Sequence, residues 1–439
     1  MSVVVHDTHG FVLDARALID QGYSRCVRWT ENLKSYVKCR FKSQYFQLLK
    51  SYYNTSISSA VDKGKTDIFQ EADLPRKVKR RKRKHSDLNQ GEHDMQAFHE
   101  KIRTVILEGT KSLLDAARCV GYLNGSVTDT VTEPLPLQEC NLAALCEMAK
   151  DLPVVDGHQD KCVQLLDPEE GCTSHLDLFS QVTENKSDWA TVVTLMGQEY
   201  VIPPHAAFLL SDLTRIQPLV SYGQRFDLIV LDPPWENKSI KRSRRYSSLP
   251  SSQLKRLPIP LLASPNCLVV TWVTNRPSHL QFVYDELYPH WDVEVVAEWF
   301  WVKVTTSGHF VFPLDSPHKK PYEVLVLGRY QSLSNDSPSS SETLAAPVDN
   351  NRVIVSVPSA LHSHKPSLSE VLKPYVGANS KCLELFARNL QPGWTSWGNE
   401  VLKLQQTSYF TLNLLDDYAA IPEGEDAETP GKASPPTIT

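Results

Sequence analysis

The chain has 439 residues, enough for two or three domains. Lysine and arginine number 46 against 51 aspartates and glutamates, a net charge of −5. That excludes a globally basic coat, so any nucleic acid must be met by local patches.

The 41% apolar content suits ordinary cores, and no apolar run approaches the length that spans a bilayer. Nine cysteines run from Cys26 to Cys382 without a Cys-x-x-Cys pair. An odd count without framework spacing implies reduced thiols inside a cell. His362 and His364 lie close together, but nothing nearby completes a metal site, so they read as loop residues and no metal is expected. The amino terminus lacks the charged start and apolar core of a secretory signal. Arg16, Arg25 and Arg28 leave a mitochondrial presequence open.

In chain order, residues 1–150 read as a mostly helical amino-terminal domain. Tyr36, Phe41, Tyr45, Phe46, Leu49 and Tyr52 recur at near-helical intervals and predict a packed helical face. A basic, disordered insert follows at about 74–94. Its core, 75–84, holds eight positive charges in ten residues and cannot pack. It matches a nuclear localisation signal or a nucleic-acid arm. The expected location is therefore the nucleus, with cytosol and mitochondrion left open. Phe98, Ile102, Val105, Ile106, Leu113, Leu114 and Ala117 predict a helix between 96 and 122. A second helix is expected at 137–149.

Residues 151–188 read as a linker. From 189 to 416 an α/β pattern takes over. Strands are predicted at 207–210, 226–231, 267–273, 295–304, 322–327, 352–357, 381–386 and 394–397, with helices at 251–262, 278–288 and 367–375. Such alternation implies a largely parallel sheet covered by helices on both faces. The serine-rich stretch 332–342 reads as a loop and 417–439 as a disordered tail.

The most informative stretch is Phe226–Trp235. Its apolar run predicts a strand buried on both faces, ended by Asp232-Pro233-Pro234-Trp235. Open α/β sheets place their chemistry just past such strand ends. This turn suits a planar amine. Asp232 and the Pro233 carbonyl offer acceptors for its N–H groups, the carbonyl on the argument that two prolines leave it no local donor. Trp235 offers a π face for a flipped base. Catalysis would then rest on positioning and preorganised electrostatics. There is no Gly-x-Gly-x-x-Gly, so a nicotinamide or flavin enzyme is not expected. Just downstream, Lys238, Lys241, Arg242, Arg244 and Arg245 put five positive charges in eight residues, a candidate phosphate-binding loop. A second candidate spans Val304 to Tyr322, with His309, His318, Lys319 and Lys320.

Asp232-Pro-Pro-Trp235, His364-Lys365-Pro366, Glu384-Leu385-Phe386-Ala387-Arg388, and Gln391-Pro392-Gly393-Trp394 followed by Gly398-Asn399 occur in an order that resembles the adenine-N6 methyltransferase family typified by the catalytic subunit of the mRNA adenosine methyltransferase. The resemblance covers about 192–414. It implies a Rossmann-like S-adenosylmethionine-dependent domain of circularly rearranged motif order, in which the catalytic strand precedes the cofactor-binding strands.

With that cofactor implied, Lys365 pairs with the donor's carboxylate and Arg388 serves the ribose or the carboxylate. Asn389, Asn399 and Glu400 lie past strand ends at the ribose and adenine, and Asp212 caps the adenine. Glu384 partners Arg388 or the ribose. The family carries a longer turn with a histidine before Gln-Pro, whereas here Arg388 reaches Gln391 through two residues. The family also places a mobile gate near 304–322. The implied partner is RNA, small nuclear RNA or mRNA, with 2′-O-methylated adenosine in small nuclear RNA as a target. DNA adenine and a catalytically silent scaffold are the alternatives. A monomer completed by its own amino-terminal domain is expected.

Overall fold

The computed structural model describes residues 2–30, 33–52, 90–125, 146, 163–166, 176–236, 249–316, 319–331, 346–377 and 379–415. The strands in chain order are β1 (Val3–His6), β2 (Gly10–Leu13), β3 (Cys26–Thr30), β4 (Leu33–Phe41), β5 (Val163–Leu165), β6 (Val182–Glu184), β7 (Ala190–Leu195), β8 (Gln198–Ile202) and β9 (Ala207–Leu209). They continue as β10 (Phe226–Leu231), β11 (Ala263–Val273), β12 (Val293–Lys303), β13 (Tyr322–Tyr330), β14 (Arg352–Ser356), β15 (Cys382–Leu385), β16 (Trp394–Trp397) and β17 (Phe410–Leu414). Three helices matter below: α1 (Ala15–Gln21), α2 (Gln90–Cys119) and α3 (Ser369–Val376).

Twelve strands form one sheet in the order β1-β2-β14-β12-β13-β11-β10-β15-β16-β9-β6-β5. Its centre, β11-β10-β15-β16-β9, is all parallel. All eight predicted strands are present. β10 is buried on both faces, as its continuous apolar run requires. Phe226, Ile229 and Leu231 enter one core cluster, Leu228 and Val230 the other, and none is more than 4% exposed. Burying each such side chain contributes about 1.5–3 kcal/mol. The chain runs from β10 outward to β11, yet β10's other neighbour, β15, comes late in sequence. The β10/β15 boundary is thus a topological switch point, where crevices open beyond the carboxyl ends of strands. The late arrival of β15 and β16 is the rearranged order expected.

The amino-terminal region contains the expected helix. α2 buries Ile102, Ile106, Leu113, Leu114 and Ala117. Elsewhere this region departs from a helical domain. The aromatic face expected over 36–52 is instead strand β4, a single 3₁₀ turn (Ser43–Phe46) and irregular chain. Val37, Cys39 and Phe41 are buried while Lys38 and Arg40 alternate with them, a period of two that overrides the looser near-helical spacing of the aromatics. β1 and β2 extend the large sheet through β14. β3 and β4 join a second, five-stranded sheet, β17-β4-β3-β7-β8, drawn from both ends and the middle of the chain. The expected linker also supplies strands, β5 and β6, at the sheet edge. So residues 1–50 do not stand apart from the chain after 189. The insert core 75–84, nearly all of the predicted helix at 137–149, the serine-rich stretch 332–342 and the tail lie outside the described residues. Among the described residues no helix is long and apolar enough to cross a membrane.

Candidate active site

β10 and β15 are level in register, with Leu231 opposite Leu385. Both chains therefore leave the sheet at one height, and Asp232 N–H donates to the Leu385 carbonyl at 3.3 Å. After β15, Phe386 takes φ 61°, a left-handed conformation rare for a bulky residue. That turn is held from the next strand. Ala387 N–H donates to the Trp397 carbonyl at 3.0 Å, and a Cβ on Gly398 would lie 3.1 Å from the Ala387 carbonyl oxygen. A side chain there would push the two turns apart by a few tenths of an ångström. The turn aims Arg388 back across the switch point.

Arg388 Nη1 meets Asp232 Oδ2 at 2.6 Å, and Lys365 Nζ meets Asp232 Oδ1 at 3.3 Å. The pairing continues both ways. Lys365 reaches Glu323 Oε2 at 3.0 Å, and Glu323 also pairs with Lys303. Arg388 Nε reaches Glu400 Oε2 at 3.3 Å, and Glu400 Oε1 meets Lys403 Nζ at 2.6 Å. Among the described residues, four cations and three carboxylates alternate through one chain of contacts. Burial opposes Glu323's charge, but Lys303 and Lys365 outweigh it and hold the carboxyl down to about 2. Lys303, Glu323 and Lys403 had no predicted role. Their signal was faint: Lys303 and Glu323 are charges set among apolar strand residues, where a charge needs a partner.

Glu384 is hydrogen-bonded by Gln391, and the nearby Arg388 charge also acts to lower its pKa. Gln391 Nε2 donates to Glu384 Oε2 at 2.8 Å, and Ser367 Oγ donates to Gln391 Oε1. Burial pushes Glu384 up to about 7, against the Gln391 hydrogen bond, which lowers it. A carboxyl with a raised folded pKa loses stability on ionising. Its contribution falls as pH rises from the ordinary 4.5 through 7. Glu384→Gln is therefore expected to lose less stability than the wild type between about pH 5 and about pH 8, by on the order of 2 kcal/mol. Scanning fluorimetry across that range checks this; parallel curves would refute it. His364 acts with the opposite sign. It is 7% exposed, its Nδ1 has no hydrogen-bond partner among the described residues, and burial lowers it to about 4. Its neutral form stabilises, so stability drops as pH falls from 6.5 towards 4.

Two expectations for the Asp-Pro-Pro-Trp turn are corrected. Pro233's carbonyl does have a local donor, Trp235 N–H at 2.8 Å, and keeps only its second lone pair. Trp235 is not an open platform. It is 5% exposed, its Nε1 donates to the Trp272 carbonyl at 2.8 Å, and His279 covers it with ring centroids 4.9 Å apart. Burial lowers His279 to about 4, so that ring is neutral. Trp235 braces the turn against β11. Trp235→Phe would remove the indole donor to the Trp272 carbonyl, with an expected stability loss of about 1 kcal/mol in urea titration and no change in nucleic-acid KM. A raised KM at unchanged stability would restore the stacking role.

Asp212 caps the turn Leu213–Arg215, accepting from Thr214 N–H at 3.0 Å and Thr214 Oγ1 at 2.6 Å. Asn399 and Glu400 follow β16, half-buried. Asn389 lines a cleft of about 320 Å³ with Lys365, Ser367, Gln391 and residues of α1. Lys238, Lys241, Arg242, Arg244, Arg245 and His318 lie outside the described residues. The expected gate at 304–322 is anchored. Thr306 N–H donates to the Leu48 carbonyl at 2.9 Å, Tyr52 N–H to the Val311 carbonyl at 3.0 Å, and Asp315 binds Arg103 Nε at 2.9 Å.

The family model MT-A70 matches residues 226–400. METTL4 of Homo sapiens, an N(6)-adenine-specific methyltransferase, is 50% identical over 84% of this chain and 80% of its own length. The chain belongs to the MT-A70 family of adenine-N6 methyltransferases. The N6-methyladenosine RNA methyltransferase MTA1 of Pyricularia oryzae is 35% identical over 48% of this chain and 57% of its own. A DNA N6-methyl methyltransferase of Caenorhabditis elegans is 36% identical over 50% and 57%. MT-A70 membership makes S-adenosylmethionine the methyl donor. The residues fit it. The ion chain has one cation in excess, which suits a carboxylate, and half-buried amides and carboxylates stand beside it for ammonium and hydroxyl groups.

Proposed function

We propose that this chain methylates the 6-amino nitrogen of adenine in RNA. The single observation that carries the reading is Asp232 at the switch point, gripped by Lys365 and Arg388 at the head of the Pro-Pro turn. The donor supplies an electrophilic methyl on a sulfonium. The protein's part is to hold the amine. Asp232 accepts one N–H and the Pro233 carbonyl's second lone pair the other, which turns the nitrogen lone pair towards the methyl. Arg388 and Lys365 fix the carboxylate's oxygens, so little reorganisation is needed during transfer.

The finer reading is 2′-O-methylated adenosine in small nuclear RNA, acted on by a monomer in the nucleus. The relatives named for RNA and for DNA are similarly distant, 35% and 36% identical. An exposed surface by the anchored loop suits single-stranded bases: Tyr52 lies 5.1 Å from Phe312, with Lys319 Nζ 5.3 Å over that ring. The test is methyl transfer from labelled donor to matched RNA and DNA oligonucleotides, with internal 2′-O-methyladenosine in one RNA arm. Asp232→Asn serves as blank and nucleoside mass spectrometry reads the product. N6-methylation of RNA supports the proposal. Transfer to DNA alone overturns the substrate, and no transfer despite donor binding favours a scaffold.

A further inference from the structure

The turn between β15 and β16 carries Arg388 and Asn389, and its own backbone bond, Trp394 N–H to the Gln391 carbonyl at 3.2 Å, lies at its far end. Its main chain is gripped from outside at Leu390. Leu390 N–H donates to Gln405 Oε1 at 3.0 Å. Gln405 Nε2 donates to the Tyr23 hydroxyl at 2.8 Å, and that hydroxyl donates to the Leu390 carbonyl at 3.3 Å. The three bonds close a ring in which every group both gives and receives, so each polarises the next. Tyr23 and Gln405 are both 1% exposed, where an unmade hydrogen bond is costly. Gln405 Nε2 also donates to the Val201 carbonyl of β8, which fixes the ring to the second sheet. One residue from Gln405, Leu404 N–H donates to the Arg388 carbonyl at 2.9 Å.

The far end of the turn is touched by the residue before Tyr23. A Cβ on Gly22 would fall 2.4 Å from Pro392 Cγ and 3.1 Å from Cδ. Gly22 itself has φ −75° and ψ −9°, an ordinary helical conformation. The contact, not the backbone angle, is what needs a glycine. The same stretch walls the cleft beside Lys365: Ala15, Leu18, Ile19, Gly22 and Tyr23 line it together with Asn389 and Gln391.

We propose that Tyr23, with Gln405 and Gly22, positions the donor-binding turn: the amino-terminal segment sets the height of Arg388–Gln391 above the sheet, and so the affinity for the methyl donor. These are positioning residues, since they act through Arg388 and Asn389. The inference rests on the reading of that turn as part of the donor site. It gives the amino-terminal segment a part in cofactor binding. A merely structural role would lower stability and leave donor affinity alone.

The test uses the full chain with Tyr23→Phe, Gly22→Ala and the double variant Gly22→Ala/Pro392→Ala. Donor dissociation constants come from isothermal titration with S-adenosylmethionine, and melting curves and nucleic-acid KM are measured alongside. Tyr23→Phe breaks two bonds of the ring, and donor Kd is expected to rise about fivefold to tenfold with nucleic-acid KM unchanged. Gly22→Ala should give a similar rise. Trimming Pro392 should return the double variant to within about twofold of wild type, as a direct contact requires. Melting curves that shift while donor Kd stays put in both single variants would overturn the proposal. So would a double variant that fails to recover. A wild-type chain that binds no donor would instead overturn the donor-site reading and the clamp with it.

Discussion

Asp232→Asn is expected to lower the rate of methyl transfer at saturating donor by about a thousandfold or more. The substitution keeps shape and one acceptor oxygen. It also turns an NH₂ group towards Arg388 or Lys365, which now approach Asp232 at 2.6 and 3.3 Å. One cation is repelled, and the side chain swings away from where it must receive the substrate's N–H. Breaking an isolated buried ion pair costs about 3–5 kcal/mol, but neither cation is isolated here. Lys365 keeps Glu323 and Arg388 keeps Glu400. The expected stability loss is therefore smaller, about 1–2 kcal/mol. Single-turnover rates beside denaturation curves separate the two effects. Transfer within about tenfold of wild type would sink Asp232 as the amine's acceptor.

Sequence reading found the parts of the fold that local pattern dictates. β10 announces itself because a strand buried on both faces must be apolar throughout. The strands of the second sheet were harder. β7 and β8 carry Thr191, Thr194, Gln198 and Glu199 among their apolar residues, and the hairpin of β3 and β4 is flanked by chain far away in sequence, Cys26 lying opposite Ala190 and Phe41 opposite Phe410. β4 shows how aromatic spacing misled: Phe41 packs on Tyr45, Phe46, Tyr409 and Phe410 as a cluster, not as a helix stripe. At the site, Asp232 and Arg388 come together because they follow level strand ends at the switch point, while Glu400 joins from beyond β16 and Lys365 from the segment between β14 and α3. Their continuation through Lys303, Glu323 and Lys403 was hidden. A lysine or glutamate gives no sign in sequence of which charge it will meet. Trp235 was misplaced for a related reason. A large π face is equally fit for a base or for a neighbouring imidazole, and only packing chooses.

Lys365→Met is expected to raise the donor's Kd by about thirtyfold to a hundredfold, with a much smaller effect on nucleic-acid KM. Methionine preserves the apolar stem, which runs past Trp272 with Nζ 5.5 Å from the ring centroid, so the loss is mainly that of charge. Burial works against the ammonium, yet Asp232 and Glu323 outweigh it and raise its pKa above the ordinary 10.5. A raised lysine pKa stabilises below that value and is lost only above it, so the charge is intact at neutral pH. Removing it levels the ion chain at three cations and three carboxylates and leaves Glu323 with Lys303 alone. The excess cation that suits a donor carboxylate is then gone. Isothermal titration with S-adenosylmethionine measures the loss directly. An unchanged Kd would make Lys365 a partner of Asp232 alone, and its variant should then fail in transfer rate rather than in donor binding.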